Sequence, residues 1–382
     1  MRTVLKRALT TAAALSLAAA SGCAFFEQEE PDLDPAEYEQ QLTETYNESV
    51  RLNDELDVAE DRITEACMEA QGFTEHDPGE FVSFGDEERE TYMDTPPYRW
   101  FLPSAEDAAR RGFWQWTEFG DAESVEDGDA LYAEWEEFQT EMGWVTVDFG
   151  GDEDEEPEFY SLPEADQYAW YVAYGGQAWA EYMHPELAGL EVATDPDDQE
   201  AQGPPPAGGC KLETLEAVYG EIEEGTDEYS VRPEQPDGDW TAMTERYEEG
   251  TGEFEGAFLD CLSELDRDGW EFYEGQILVH DYLVAAGEGE YALSSYPDAG
   301  TRWPDPPSDV PEDDDVQGWL DFERDLAVDF AECGDDSGYR EAAAHAWEQA
   351  QLRYYLDIEG ATFAWQDQMR ELIEQAQEAI AS

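Results

Sequence analysis

The C-terminal stretch of the chain limits the fold more than any other. Ala343, Trp347, Ala350, Tyr354, Ile358, Ala361, Trp365, Met369, Leu372, Ala376 and Ala379 step by threes and fours, which lines them up on one face of a helix. The stripe keeps its phase through Gly360, and a single internal glycine costs a helix only ~1 kcal/mol. The spacing predicts one helix from about Tyr339 to Ile380, roughly 60 Å long at ~1.5 Å per residue. So long an apolar face needs another long element to cover it. The other end of the chain offers one. Asp34 can cap, and Pro35 can open, a helix starting near Ala36. Tyr38, Leu42, Tyr46, Val50, Leu56, Ile63 and Cys67 then recur on roughly one face, and Gly72 is a natural stop. A hairpin with Leu320 to Cys333 is the alternative partner for the tail.

The expected fold is therefore mainly α: long N- and C-terminal helices packing around a helical core, with a few short strands and acidic loops. Ser104-Ala-Glu-Asp should cap a short helix running to Arg111. Glu164 to Tyr182 reads as a helix. Trp144 to Phe149 alternates and is the clearest strand candidate. Residues 150–157, 194–209 and 297–315 are rich in Pro, Gly and acid and read as solvated loops.

Charge narrows the partners. The chain holds 98 Asp and Glu against 18 Lys and Arg. Three of those cations, Arg2, Lys6 and Arg7, lie before residue 23, where there is no acid. From Cys23 onward 15 cations face 98 acids, a formal charge of −83, and Lys211 is the one lysine. Nucleic acid is excluded as a partner, because its binding depends on cations meeting phosphates. An anionic lipid surface would repel such a chain. High salt would screen the repulsion between carboxylates, and alkaline pH would favour Arg over Lys. Codon usage in a GC-rich genome accounts for Arg replacing Lys, but not for so few cations of either kind.

Residues 1–22 have the layout of a secretory signal peptide: a basic head, a small apolar run from Ala8 to Ala20, then Ala20-Ser21-Gly22-Cys23. These last four residues resemble a bacterial lipobox, in which the Cys becomes the lipidated N-terminus. Residues 23–35 then form an acidic tether, and 36–382 a mainly helical extracytoplasmic domain. Ordinary cleavage, leaving Cys23 as a thiol, is the alternative. Cysteine parity favours lipidation, since removing Cys23 from five leaves Cys67, Cys210, Cys261 and Cys333 for two disulfides. Four cysteines allow three connectivities. We expect Cys67 with Cys210 and Cys261 with Cys333, because each half then closes on itself. Phe258-Leu-Asp-Cys261 followed by Gly269-Trp270 is a weak echo of Cys67 followed by Gly72-Phe73.

Glu65-Ala-Cys67-Met-Glu-Ala-Gln-Gly72-Phe73 resembles a segment of exported lipoproteins from high-GC Gram-positive (actinobacterial) bacteria. Shorter islands continue the resemblance. They are Leu162-Pro-Glu-Ala-Asp with Trp170 and Gly175, Gly209-Cys210 with Ala217 and Tyr219-Gly220, and Asp329-Phe-Ala-Glu-Cys333 with the tail behind it. The resemblance implies an extracytoplasmic location and disulfides, and assigns no catalytic residue.

Catalytic signatures are absent from the sequence: no His-Glu-x-x-His, no phosphate-binding Gly-rich loop ending in Lys, no Gly-x-Ser-x-Gly. The four His residues, His76, His184, His280 and His345, are far apart. His280-Asp281 are adjacent, and adjacent helical residues point apart. With 98 carboxylates, any pair of them is unremarkable as a hydrolase signal. The acidic runs at 152–156, 195–198 and 312–315 lack the EF-hand pattern and read as solvated loops, with a weak Ca²⁺ or Mg²⁺ site as the alternative; no metal and no cofactor are expected. A candidate ligand surface is the aromatic stretch with Tyr98, Trp100, Trp114 and Trp116 beside Arg110 and Arg111; core packing is the alternative. The expectation is a lipid-anchored, extracytoplasmic, non-catalytic binding or structural module with an unknown extracellular partner. A carbohydrate- or peptidoglycan-acting hydrolase with paired carboxylates is the second reading.

Overall fold

The computed structural model describes residues 32–81, 87–120, 124–141, 157–190, 205–222, 230–288, 302–308, 310–312 and 314–382. The signal-like segment, Cys23 and the strand candidate at 144–149 lie outside them. Asp34 to Ser382 forms one compact unit. Ten α-helices occur among the described residues: α1 (Glu39–Gln71), α2 (Ala105–Arg111), α3 (Gly128–Glu141), α4 (Glu164–Gly175), α5 (Gln177–Met183), α6 (Gly209–Tyr219), α7 (Trp240–Glu264), α8 (Val279–Glu288), α9 (Val316–Asp336) and α10 (Tyr339–Ala381). The fold is mainly α. Where short strands were expected, the described residues hold only one isolated bridge, Tyr273 with Gln276.

Local chemistry sets the helix ends. Asp34 accepts a hydrogen bond from the Ala36 N–H (3.1 Å). Pro35–Glu37 is a single 3-10 turn, and α1 proper begins at Glu39, slightly later than the capping pattern suggested. At its far end Gly72 takes a left-handed φ of 100°. The Gly72 N–H reaches Glu69 O and the Phe73 N–H reaches Met68 O, the paired closure that a glycine in this conformation allows. The helix expected over Glu164 to Tyr182 is broken in two. Gly176 turns the chain at φ 88°, and the Trp179 ring packs directly over Gly175, leaving no room for a side chain there.

The long C-terminal helix spans Tyr339–Ala381 and passes through an exposed Gly360 unbroken. Two long partners cover most of its apolar face, with Val218 of α6 joining the second of them. Its first half lies antiparallel to α7. Tyr247 meets Trp347 edge-on (5.7 Å between centroids), and Gly250 faces Ala346 so closely that a β-carbon would fall 2.5 Å from the alanine methyl. Its second half lies alongside α1 with Leu52, Leu56 and Ala59 against Trp365, Met369 and Ile373. Gln41 bonds Glu359, Gln366 bonds Thr45 O (2.9 Å) and Ser49 Oγ (3.0 Å), and Arg370 pairs with Glu48 (2.7 Å). Residue numbers rise together on the two helices, so α1 and α10 run parallel. The first helix is thus the right partner for half of the tail, and α7 covers the rest. Residues 89–94 stitch these elements together. Both amide atoms of Asn47 bond the Arg89 backbone at 2.8 Å, and Trp347 Nε1 donates to Asp94 O (2.8 Å).

Two disulfides pin the bundle. Cys67 at the end of α1 bonds Cys210 at the start of α6, and Cys261 on α7 bonds Cys333 on α9 (Cα–Cα 5.6 and 5.5 Å). Gly269, which follows α7, has the same φ of 100° as Gly72.

Candidate functional site

The aromatic stretch from Tyr98 to Phe119 folds inward. Ser104 Oγ accepts from the Asp107 N–H (3.1 Å) and starts α2, while Arg110 and Arg111 close its last turn. Gly112 then turns at φ 65° and Trp114 sits in the left-handed region at φ 72°, leading into a 3-10 helix, Gln115–Phe119. This path lays Trp114 and Trp116 onto the apolar face of α9, formed by Val316, Trp319 and Leu320. Trp114 is 2% and Trp116 0% exposed. Trp116 Nε1 donates to Arg111 O (3.1 Å).

The expected ligand surface is corrected by this burial. Arg111 is also buried, its guanidinium 5.0 Å from the Trp114 ring centroid and 4.9 Å from that of Phe138, with Asp107 as its ionic partner at 3.5 Å. Loss of solvation pushes its pKa down. Arg110 is exposed and pairs with Glu134 on α3. Trp100 and Tyr98 are half-buried, Trp100 against Phe138 and His280, and Tyr98 against the central core. Trp100, Trp114, Trp116 and Arg111 do come together, but as packing between α2, α3 and α9, while Tyr98 belongs to the central core. The physical reason is that α9 presents an apolar stripe, which Trp114 and Trp116 cover together with Phe119, Leu131 and Phe138.

His280 belongs to the same region. Its Nε2–H donates to Trp100 O (2.9 Å) and its Nδ1 lies 3.4 Å from the Gln115 side chain. Burial first, and Arg111 nearby, hold its pKa down. It links the Trp100 carbonyl to the Gln115 side chain.

Two buried carboxyls escaped the sequence reading. Glu323 is 0% exposed in the middle of α9, with Oε2 accepting from the Phe113 N–H (3.0 Å) and Oε1 without a partner. Burial pushes its pKa up to about 8 against the opposing pull of the Phe113, Trp116 and Gln115 N–H groups. A raised pKa is what a general acid needs, but a carboxyl with no accessible surface, facing backbone, cannot meet a substrate. A signal for it exists: position 323 falls on the stripe Trp319, Leu320, Leu326, Ala327, where an apolar residue belongs.

Asp77 is the second. It accepts from Tyr160 Oη (2.6 Å), Tyr171 Oη and the Gly79 N–H (2.9 Å). Burial and the adjacent carboxylate push Tyr160 up to about 12 and Tyr171 further. The His184 ring stacks on Tyr171 (3.6 Å between centroids), and Trp170 Nε1 donates to His76 Nδ1 (3.3 Å). His76 and His184, 108 positions apart by their numbering, thus share one aromatic cluster. No sequence pattern reveals this, because loop 73–81 supplies Asp77 and distant helices supply its donors. Every Asp77 oxygen is occupied by a donor from the fold, which is an anchoring arrangement.

Among the described residues no group of three or more His, Cys, Asp or Glu is placed to hold a metal ion. The acidic runs at 152–156 and 195–198 lie outside them. Comparison of the chain with protein-family models, with curated proteins and with solved structures finds no match in any of the three.

Proposed function

We propose that this chain is a lipid-anchored envelope protein, of the kind its short islands resemble, held outside the cytoplasmic membrane through Cys23. In this reading it is a non-catalytic binding or structural module with an extracellular partner. The observation that carries the reading is the pairing of four cysteines into two disulfides. Disulfides persist in oxidising compartments, and their formation leaves Cys23 as the odd cysteine at the end of the lipobox-like segment. In this reading the attachment is a covalent lipid on Cys23; among the described residues no helix is long and apolar enough to cross a membrane. The −83 charge then acts as a spacer, repelling the domain from anionic headgroups while the tether holds it.

The test is Cys23→Ser in the producing cell. We expect release from the membrane fraction or arrested processing. A processed Cys23→Ser protein that stays on the membrane would rule the anchor out. Crosslinking on intact cells, followed by identification of the captured molecule, tests the binding role.

A further inference from the structure

We propose that Glu323 is a pH-operated latch: in its neutral form it holds the Gly112–Phe119 segment closed over α9, and on ionising it releases that segment. The geometry is specific. The segment leaves α2 at Gly112, where a β-carbon would fall 2.7 Å from Glu323 Cβ, so segment and carboxyl are in direct contact. The Phe113 N–H donates to one carboxyl oxygen (3.0 Å), the Gln115 and Trp116 N–H groups also face the carboxyl, and the second oxygen has no close partner although the residue is fully buried. A neutral carboxyl tolerates such a place far better than an anion does.

The charged groups around it do not compensate an anion. Arg111 on α2 pairs with Asp107. Arg110 pairs with Glu134 on α3. Arg324, the next residue on α9, bonds Arg110 O (2.8 Å) and Asp321. Arg267, which follows α7, is held by Asp325 and Asp329. His280 on α8 is held by Trp100 O with its own charge disfavoured. Burial outweighs the three backbone N–H groups and places the titration near pH 8, within an ordinary range. Ionisation therefore favours any state in which water reaches Glu323. The direct route is lifting the segment, which uncovers Trp114, Trp116 and Trp319. Exposure of that aromatic face therefore grows from mildly acid pH upward and reaches its plateau above about pH 8.

Hydrogen exchange followed by mass spectrometry, on the full chain in molar NaCl to suppress surface repulsion, tests this. After correction for the intrinsic pH dependence of exchange, the opening of peptides spanning 113–116 should rise by up to about tenfold per pH unit from ~5 to ~8 and level off above. Glu323→Gln should flatten that profile, and His280→Gln should leave it intact. Should Glu323→Gln fail to fold, the wild-type profile with its break near pH 8, alongside His280→Gln, decides the matter. A wild-type profile without a rise overturns the latch, as does a rise that persists in Glu323→Gln or vanishes in His280→Gln.

Discussion

At the scale of single residues, the glycines of this chain separate conformational need from spatial need. Gly72 and Gly112 both have positive φ, but nothing lies within 4 Å of a β-carbon at Gly72, whereas Gly112 abuts Glu323. Gly72→Ala should therefore cost only the left-handed strain, on the order of 1–2 kcal/mol. Gly112→Ala adds a steric clash in a packed core and should cost roughly 3 kcal/mol or more. Denaturant melts of the two variants, compared by midpoint and slope, check the ordering. Gly72 was legible in the sequence because a helix stripe ends there. Asp34 and Ser104 were legible because caps are local. Asp77 was not, since its Tyr160 and Tyr171 donors arrive 83 and 94 residues later.

At the scale of elements, periodicity located the two long helices, but not how the tail divides its contacts. A stripe reports that a face is covered and is silent on how many neighbours cover it. The inward turn of the aromatic stretch was equally hidden, because a run of rings has the same composition on a surface and in a core. The disulfides act at this scale, each joining two helices across long loops of 143 and 72 residues. Because loop entropy grows only with the logarithm of length, the chain-entropy view gives ~5 and ~4 kcal/mol for the two. The Cys67→Ala/Cys210→Ala and Cys261→Ala/Cys333→Ala proteins should thus lose similar stability, despite a twofold difference in loop length. Equilibrium denaturation of the two double variants is the check, and a gap of several kcal/mol between them would point to native packing instead of chain entropy.

At the scale of the whole molecule, charge dominates. The Debye length falls from ~30 Å at 0.01 M salt to ~3 Å at 1 M, so repulsion between faces should fade across that range. The melting midpoint, followed by circular dichroism, should rise with NaCl; a flat or falling midpoint would indicate that the acid is already compensated. The pH response has two parts. Burial and neighbouring acids raise Asp61 to about 6, and burial raises Glu323 to about 8. Groups raised in the folded state favour folding below the ordinary carboxylate range, and that advantage is lost as pH climbs through about 6 and then about 8. Glu48, bonded by Arg51 and Arg370, is lowered, so its contribution is present above the ordinary carboxylate range and lost as acid protonates it. At low salt the midpoint should therefore peak at mildly acid pH, fall gently toward pH 8 and more steeply toward pH 3.

The parallel seating of α1 beside α10 has a consequence in time. Gln41 meets Glu359 across 318 positions of chain. Synthesis releases the first helix long before its main apolar partner exists. Leu52 and Leu56 stay incompletely covered until α10 is made, because Trp365, Met369 and Ile373 supply much of the surface that buries them, beside Val218 of α6. Burial of the first helix is thus timed by a segment 318 positions downstream, and α1 cannot complete its packing with its near neighbours in sequence alone.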